Sequence, residues 1–451
     1  MALNKEKSNC KKYILYLCGL VAGAIIFYGL FSSSKFYMLQ IVQIYHKPSY
    51  TKAPSISNVI QKETNSSKID LQVAQPLFQS RTSSYYPHLP IHIYNQNLSS
   101  LRNRSKLILM GNGFFGDGSW GLNTKTGTST ELSKMKQLSC PYLGDYCDIT
   151  TDKNRFSEAD AVIYHMRDKI DRKKAEKNRR PHQRFVFALW ESPPHTPNIK
   201  SYKKFFNWTM TYRFQSHVVA SYYSSNAYIH TSSDYYRYLL KENTAKNLNL
   251  NLRKANYQLS DEMLTNKNLG TAAALISNCG GKSGRLTFIR RLQRHMDVKI
   301  YGRCGNQCPE NVDCREFIGK RYYFFLSFEN SLCTDYTTEK FFSVLEHPIV
   351  PIVYGRTDYS TFIPSSGFIN VNKFSNFTAL AQYLKKVRYD KEKYLSYFSW
   401  KKDYVWGVSQ LFTPICDVCL RLHLDSTPNV IDDMDAWWNA NTCQAPKLWR
   451  W

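Results

Sequence analysis

From residue 270 onward the chain alternates short apolar runs with amphipathic ones, a rhythm that confines it to an open α/β sheet. The runs "TAAALISN", "VKIYG", "RYYFFLSF", "IVPIVYG" and "GFINV" have strand length, whereas "KSGRLTFIRRLQRH", "TEKFFSVLEH" and "FTALAQYLKKV" carry the helical period. Strands joined through helices align parallel, and the helices then cover the sheet. An earlier series begins with "KLILMG" and continues with "ADAVIYH" (159–165) and "FVFALW" (185–190). The polar stretch "NTAKNLNLNLRKANYQLSDEMLTNKN" separates the two series, which puts a domain boundary between about 245 and 268. Ligands of such sheets sit at the carboxyl ends of the strands, and two facing sheets make a cleft.

The start of the chain is different. "YILYLCGLVAGAIIFYGLFSSS" (13–34) has no charge and is long enough to cross a bilayer, and Lys5, Lys7, Lys11 and Lys12 precede it. The positive-inside rule makes this a single-span signal anchor with a cytosolic tail at 1–12 and the rest of the chain beyond the membrane. A cleaved signal peptide would be shorter and carry a small-residue cleavage site, and a buried core helix would not lie at the terminus. Residues 35–100 are rich in Ser, Asn, Gln and Lys without sustained periodicity, the composition of a stem.

Other features fit that topology. Sequons begin at Asn65, Asn97, Asn103, Asn207 and Asn376, all after the span. Ten of the twelve cysteines lie there too, so disulfides are expected, with connectivity open. "CDVC" (Cys416, Cys419) lacks a thioredoxin-like context and reads as structural bridging rather than a redox pair. The formal charge of +25 would suggest nucleic acid in a cytosolic protein. Behind a membrane the acidic partners are nucleotide-sugars, sulfated glycans or lipid headgroups, and a run such as "DRKKAEKNRR" also reads as a solvated face.

Three segments carry chemistry. "RYYFFLSF" delivers Glu329 and Asn330 to the carboxyl end of a strand, and "TTEK" then opens a helix. Its first-turn amides and Lys340 suit a phosphate-bearing ligand, while Glu339 can accept hydrogen bonds from sugar hydroxyls. The same residues read equally as a helix cap, with Thr337 or Thr338 as cap and Glu339 favouring the dipole. "SNCGGKSGRLTFIRRL" sets a glycine loop before a helix that starts with Arg285, which offers a bidentate grip on a diphosphate. That loop matches neither the Walker nor the dinucleotide pattern. Finally, "LWESPPHTP" puts Glu191 just past a strand, beside Trp190 and a proline-stiffened turn. A carboxylate there has the setting of a general base, or of an N-cap or surface ion pair.

Together these segments resemble the α1,3-fucosyltransferase family of Golgi enzymes. "FFLSFENSLCTDYTTEKFF" is similar to that family's F-x-L-x-F-E-N-S run followed by Y-x-T-E-K, and "VPIVYG" follows at the expected interval. "LWESPPHTP", "FNWTMTYR" and "ISN…SGR" resemble family blocks in the same order, over roughly residues 105 to 422. The resemblance implies two facing Rossmann-like domains of GT-B type: an acceptor-binding domain at 101–260, a GDP-fucose-binding domain at 261–425 and a tail at 426–451. It implies an inverting transfer of L-fucose from GDP-β-L-fucose to a GlcNAc hydroxyl of a glycoprotein glycan, either a Galβ1,4GlcNAc antenna or the N-glycan core. It assigns Glu191 as general base, Arg285 and Lys340 to the diphosphate, and Asn330, Tyr336 and Glu339 to the rest of the donor. His165, Arg167, Asp168 and Trp190 fall at the acceptor, since "HMRD" resembles an H-x-R-D segment associated with α1,3 over α1,4 transfer, with Met166 where histidine is usual.

The resemblance also implies a type II protein of the Golgi membrane, anchored through residues 13–34 with its body in the lumen, and a reaction with no obligatory metal, a divalent ion being at most stimulatory. The Asp-x-Asp triplet in "DDMD" (432–435) lies beyond the matched blocks and is expected to be an accidental acidic run. Two rivals remain. One is an inactive, membrane-anchored glycan-binding protein of the same fold, and the other is an inverting transferase with another nucleotide-sugar donor.

Overall fold

A computed structural model describes residues 105–120, 147–222, 228–232, 253–254, 261–406 and 414–446. The expected anchor and stem, and the sequons at Asn65, Asn97 and Asn103, lie outside them. Among the described residues no helix is long and apolar enough to cross a membrane. Residues 114–120 belong to a separate small unit, in which a tight turn pairs Phe114 with Asp117.

The first sheet is built from β1 (Lys106–Met110), β2 (Cys147–Thr150), β3 (Ala161–His165), β4 (Arg184–Leu189), β5 (Trp208–Thr211) and β6 (Val218–Val219). Its order is β2-β1-β3-β4-β5-β6 and every pairing is parallel. All five residues of β3 are buried, and all of β4 after Arg184, because a parallel sheet is covered on both faces. Helix α1 (Arg172–Asn178) joins β3 to β4.

Two short strands, β7 (Tyr228–His230) and β8 (Arg253–Lys254), and helix α2 (Asp261–Thr265) lead to the second sheet. That sheet contains β9 (Gly270–Leu275), β10 (Val298–Tyr301), β11 (Tyr322–Phe328), β13 (Val350–Tyr354) and β14 (Ile369–Asn370), with the two-residue β12 (Leu332–Cys333) lying outside it. The order β10-β9-β11-β13-β14 is again parallel throughout. Helices α3 (Arg285–Leu292), α4 (Cys314–Arg321), α5 (Glu339–Phe342), α6 (Phe377–Tyr389) and α7 (Lys391–Ser396) surround it. In α6, Phe377, Leu380, Ala381, Leu384 and Val387 form a buried stripe at helical spacing, and Asn376 caps the helix by accepting the Ala379 N–H at 2.8 Å.

The end of the chain is not a free tail. After β15 (Tyr404–Trp406), which pairs with β7 and β8, come α8 (Pro414–Leu424), α9 (Met434–Asn439) and β16 (Cys443–Gln444). Met434 and Trp438 of α9 are buried in the core of the first sheet. Strand β16 pairs antiparallel with β12, and a disulfide joins Cys333 to Cys443. Further disulfides among the described residues join Cys147 to Cys419, Cys279 to Cys304 and Cys308 to Cys314. Cys419 therefore bonds across the chain and not to Cys416, which removes the redox-pair reading of "CDVC". The acidic run is structural: Asp433 caps α9 through the Ala436 N–H and faces Lys203 at 3.5 Å, with Asp432 3.9 Å from Lys204.

One sequon is overturned. Asn207 is only 4% exposed, and its Oδ1 accepts the Phe185 N–H at 2.7 Å and a guanidinium N–H of Arg179. Its Nδ2 donates to the Asn429 carbonyl, so the amide a glycan would occupy pins the start of β5 to its neighbours. Asn376 is exposed at its helix cap.

Candidate active site

Strand order reverses between β9 and β11, where an α/β sheet opens a crevice at its carboxyl end. The loop after β9 is built to close onto β11. Gly281 lies so near Asn330 that a Cβ there would meet the Asn330 backbone at 3.2 Å, and Gly284 takes the left-handed φ of 68° before α3. Ser283 fixes the loop, donating its N–H to the Asn330 carbonyl at 2.9 Å and its hydroxyl to the Glu329 carbonyl at 2.6 Å.

Arg285, at the first position of α3, is 2% exposed and spans the crevice. Its guanidinium donates to the Asn278 carbonyl at 2.9 Å and the Phe328 carbonyl at 3.0 Å, the ends of both flanking segments. Burial lowers its pKa, against the opposing pull of Glu329, Tyr336 and Glu339.

Glu329 is fully buried. One carboxylate oxygen accepts the Thr338 N–H and the other the Thr338 hydroxyl, both at 2.8 Å, and the second also lies 3.6 Å from Lys340 Nζ. The cap and ligand readings of "TTEK" are thus both visible: Thr338 caps α5, and Glu329 fixes that cap so that Lys340 turns back over the strand end. Lys340 Nζ also donates to Thr338 Oγ1 at 2.8 Å and to Glu339 at 3.1 Å. The side chains of Lys340 and Glu339 keep 18% and 21% exposure, enough to meet a ligand. Burial pushes the Glu339 pKa up, but Lys340 and Arg315 outweigh it and hold the carboxyl at about 2. For Glu329 burial prevails over Lys340 and its pKa is raised.

The chain then crosses to the first sheet. Cys333 and Tyr336 are buried in that sheet's core, and the Tyr336 ring meets Tyr212 edge-on at 4.9 Å. Burial pushes the Tyr336 hydroxyl far up, with Tyr222, Glu191, Glu329 and Glu339 adding to the rise. Glu191 and the Glu329–Glu339 cluster therefore flank one tyrosine. Beside them Ser192 donates its hydroxyl to Ser331 at 2.7 Å, both side chains fully buried. The segments after β4 and β11 are locked together there.

Glu191 itself is half-buried at the end of β4, after Trp190, whose carbonyl accepts the Tyr222 hydroxyl at 3.2 Å. Trp190 stands 6.2 Å, ring to ring, from His165. His165, expected to contact the acceptor, has no exposure at all and is corrected to a structural role. Its Nδ1 meets the Asp168 carboxylate at 2.6 Å, and burial lowers its pKa against that partner. Asn112 completes the clasp, accepting the His165 N–H and donating to the His165 carbonyl, each at 2.8 Å. Arg167 is exposed and donates to the His195 carbonyl.

The sequence reading missed Ser192, Ser331, Asn112 and His195. The two serines and His195 stood inside the quoted motifs, but a hydroxyl or imidazole beside a strand end carries no pairing information by itself. One trio of metal-type ligands occurs among the described residues, Cys147, Cys419 and His423, and its two sulfurs are bonded to each other.

Comparison with known proteins bears on this geometry directly. The family model described as "Glycosyltransferase family 10 (fucosyltransferase) C-term" matches residues 265–437, and "Fucosyltransferase, N-terminal" matches 103–223. An α-(1,3)-fucosyltransferase C of Drosophila melanogaster is 34% identical over 75% of this chain and 79% of that protein. The chain belongs to the fucosyltransferases of glycosyltransferase family 10. A second fucosyltransferase of D. melanogaster, the glycoprotein 3-α-L-fucosyltransferase A, is 32% identical over 83% of this chain and 68% of its own length. A human 4-galactosyl-N-acetylglucosaminide 3-α-L-fucosyltransferase is 31% identical, covering 62% and 72%. A solved α1,3-fucosyltransferase determined with GDP-fucose superposes with a TM-score of 0.42 and 17% identity, over 77% of this chain and 99% of that one, too loosely to carry residue positions across. This fucosyltransferase is thus a glycosyltransferase, and its family match runs past residue 422 into α9, consistent with a tail packed into the core.

Proposed function

We propose that the chain transfers L-fucose from GDP-β-L-fucose, with inversion, to the 3-hydroxyl of a GlcNAc in a glycoprotein glycan. The observation that carries the reading is the buried Ser192–Ser331 bond, which ties the segment of Glu191 to that of Glu329, where Lys340 lies 3.6 Å from Glu329 and 3.1 Å from Glu339. Glu191 takes the proton of the acceptor hydroxyl as that oxygen attacks the anomeric carbon. The bond from that carbon to the diphosphate breaks on the opposite side, and GDP carries away the electron pair. Lys340 and Arg285 neutralise the charge that develops on it, as fixed cations do at low reorganisation cost. Glu339, ionised at neutral pH, accepts hydrogen bonds from sugar hydroxyls.

The α1,3 linkage rests on the names of the two D. melanogaster fucosyltransferases and the human one compared above. Those names span a glycoprotein and a galactosyl-N-acetylglucosaminide, and the two acceptors we propose are accordingly an N-glycan core and a Galβ1,4GlcNAc antenna. The two domains face one another as in GT-B enzymes, and the anchor at 13–34 holds the body in the Golgi lumen.

The test incubates the full-length chain in detergent-solubilised membranes with GDP-fucose, one acceptor of each type, and EDTA. Linkage analysis of a fucosylated product supports the reading, and activity surviving EDTA supports a metal-free step. GDP-fucose binding without transfer to either acceptor would reduce the chain to a binder. In an active preparation, Glu191→Gln should retain donor binding and lower kcat by about 10² to 10⁴-fold. Unchanged turnover removes Glu191 from the base role.

A further inference from the structure

The turn that follows Glu191 is held from three sides, yet one buried ring nitrogen on it has no hydrogen-bond partner among the described residues. Ser192 ties its start to the second sheet's strand end, through Ser331. Thr196 ties its finish to α9, donating to the Ser192 carbonyl at 3.0 Å and accepting the Trp438 indole N–H at 2.9 Å. Arg167, on the loop after β3, holds the His195 carbonyl, while the His195 N–H donates to Ser192 at 2.9 Å. The backbone of His195 is therefore fixed by neighbours from the first sheet and, through Ser192 and Ser331, from the second.

Its side chain is placed just as specifically. Nε2 is buried and has no hydrogen-bond partner among the described residues. The ring hydrogen-bonds the Asn330 carbonyl and feels the charges of Glu191, Arg167 and Lys282, so it lies between the base and the residues around the second crevice, with Nε2 the nitrogen left over. Burial lowers its pKa, and the imidazole is neutral near pH 7, with one N–H and one lone pair. A buried polar atom left unpaired in the free protein is costly, and beside a catalytic base it is accounted for when a bound ligand completes it.

We propose that His195 is an acceptor-binding residue, whose Nε2 hydrogen-bonds a hydroxyl of the acceptor glycan and so holds the attacking oxygen at Glu191. The proposal rests on the fucosyl-transfer reading and names a contact within it. The acceptor is the partner because His195 sits four residues after the base on the same turn, while Lys340 and Arg285 lie on the segments that face the donor.

The test compares full-length wild type with His195→Ala, His195→Asn and His195→Gln, using GDP-fucose and whichever acceptor the wild type fucosylates. Glutamine reaches the position of Nε2, whereas asparagine reaches only that of Nδ1. The acceptor KM should rise about tenfold in the Ala and Asn variants and about threefold or less in Gln, as for loss and partial recovery of one neutral hydrogen bond. The GDP-fucose KM should move less than about twofold, and the ratio of fucosyl transfer to GDP-fucose hydrolysis should fall with acceptor affinity. Equal losses in Asn and Gln, or a donor KM that rises with the acceptor KM, would overturn the proposal in favour of a role in holding the turn. A wild-type chain that neither hydrolyses nor transfers fucose overturns the function itself, a result distinct from any difference among variants.

Discussion

The two parallel sheets have the same relative strand order, and each reverses once, between β1 and β3 in the first and between β9 and β11 in the second. Topology makes both reversals candidate ligand crevices. In the first, the Asn112 amide bonds the His165 backbone on both sides and also reaches the Asp168 carbonyl at 3.2 Å, while Asp168 holds the His165 ring. In the second, the strand ends are spanned by Arg285 and overhung by partly exposed Lys340 and Glu339. One crevice is laced shut by hydrogen bonds among its own residues and the other keeps partly exposed charged side chains at its strand ends. Strand order offers the place, and side-chain chemistry decides whether it becomes a site.

The largest effect should come from the charged crevice. Lys340→Met removes the cation that faces Glu329 and Glu339 and leaves two carboxylates where a diphosphate must approach. kcat/KM with GDP-fucose should fall by about 10² to 10³-fold, the range for loss of one preorganised electrostatic contact, and the urea midpoint should fall as well, because the buried Glu329 carboxylate loses its cation. A variant that unfolds early while its folded fraction stays fully active would show that Lys340 holds α5 and does not serve the donor.

The laced crevice should respond the other way. Asn112→Ala leaves the buried His165 N–H without its acceptor, which costs about 2 kcal/mol of stability. Chemical denaturation reads that loss directly, and steady-state kinetics on the folded protein should show acceptor and donor KM within about threefold of wild type. If Asn112→Ala instead abolishes turnover at full stability, the first crevice is a site as well and the contrast between the sheets fails.

The parallel sheets were legible because covered strands are near-continuous hydrophobic runs, as "AVIYH" and "YYFFLSF" are but for one polar residue each. The same rule explains a misreading: His165 ends a wholly buried strand, so its ring points inward although the next residues are polar. Asn207 carried a comparable warning, since Phe205, Phe206 and Trp208 around the sequon are all buried. What the sequence could not reveal are contacts made by brief segments far apart. β12 and β16 contribute two residues each, and Cys333 and Cys443 are separated by 110 positions. No periodicity marks so short a pairing. It nevertheless carries the segment after Glu329 into the first core and brings Tyr336 beside Glu191.

The smallest effect sharpens the comparison at the opposite end of the second sheet. Lys267 sits at the amino ends of β9 and β11, 3% exposed, and donates to the carbonyls of Gly319 at 2.8 Å and Tyr322 at 2.7 Å. Burial lowers its pKa to about 7, against about 10.4 for an unfolded lysine. Between those values the unfolded chain binds the proton more readily, so this residue's contribution to stability rises as pH increases, and its penalty is complete below about pH 7. Lys267→Met removes the titration while keeping most of the volume. Measured by urea unfolding at pH 6.5, 8 and 9.5, wild type should gain on the variant with a slope of at most about 1.4 kcal/mol per pH unit, other titrating groups cancelling in the difference. A flat difference would mean that the two carbonyls and the rings of Tyr323 and Tyr394, each 5.9 Å from the ammonium, offset its burial in full. Two lysines on one sheet would then differ only in what stands opposite them: neutral carbonyls fix Lys267 as structure, whereas the carboxylates around Lys340 hold a cation that an arriving diphosphate can share.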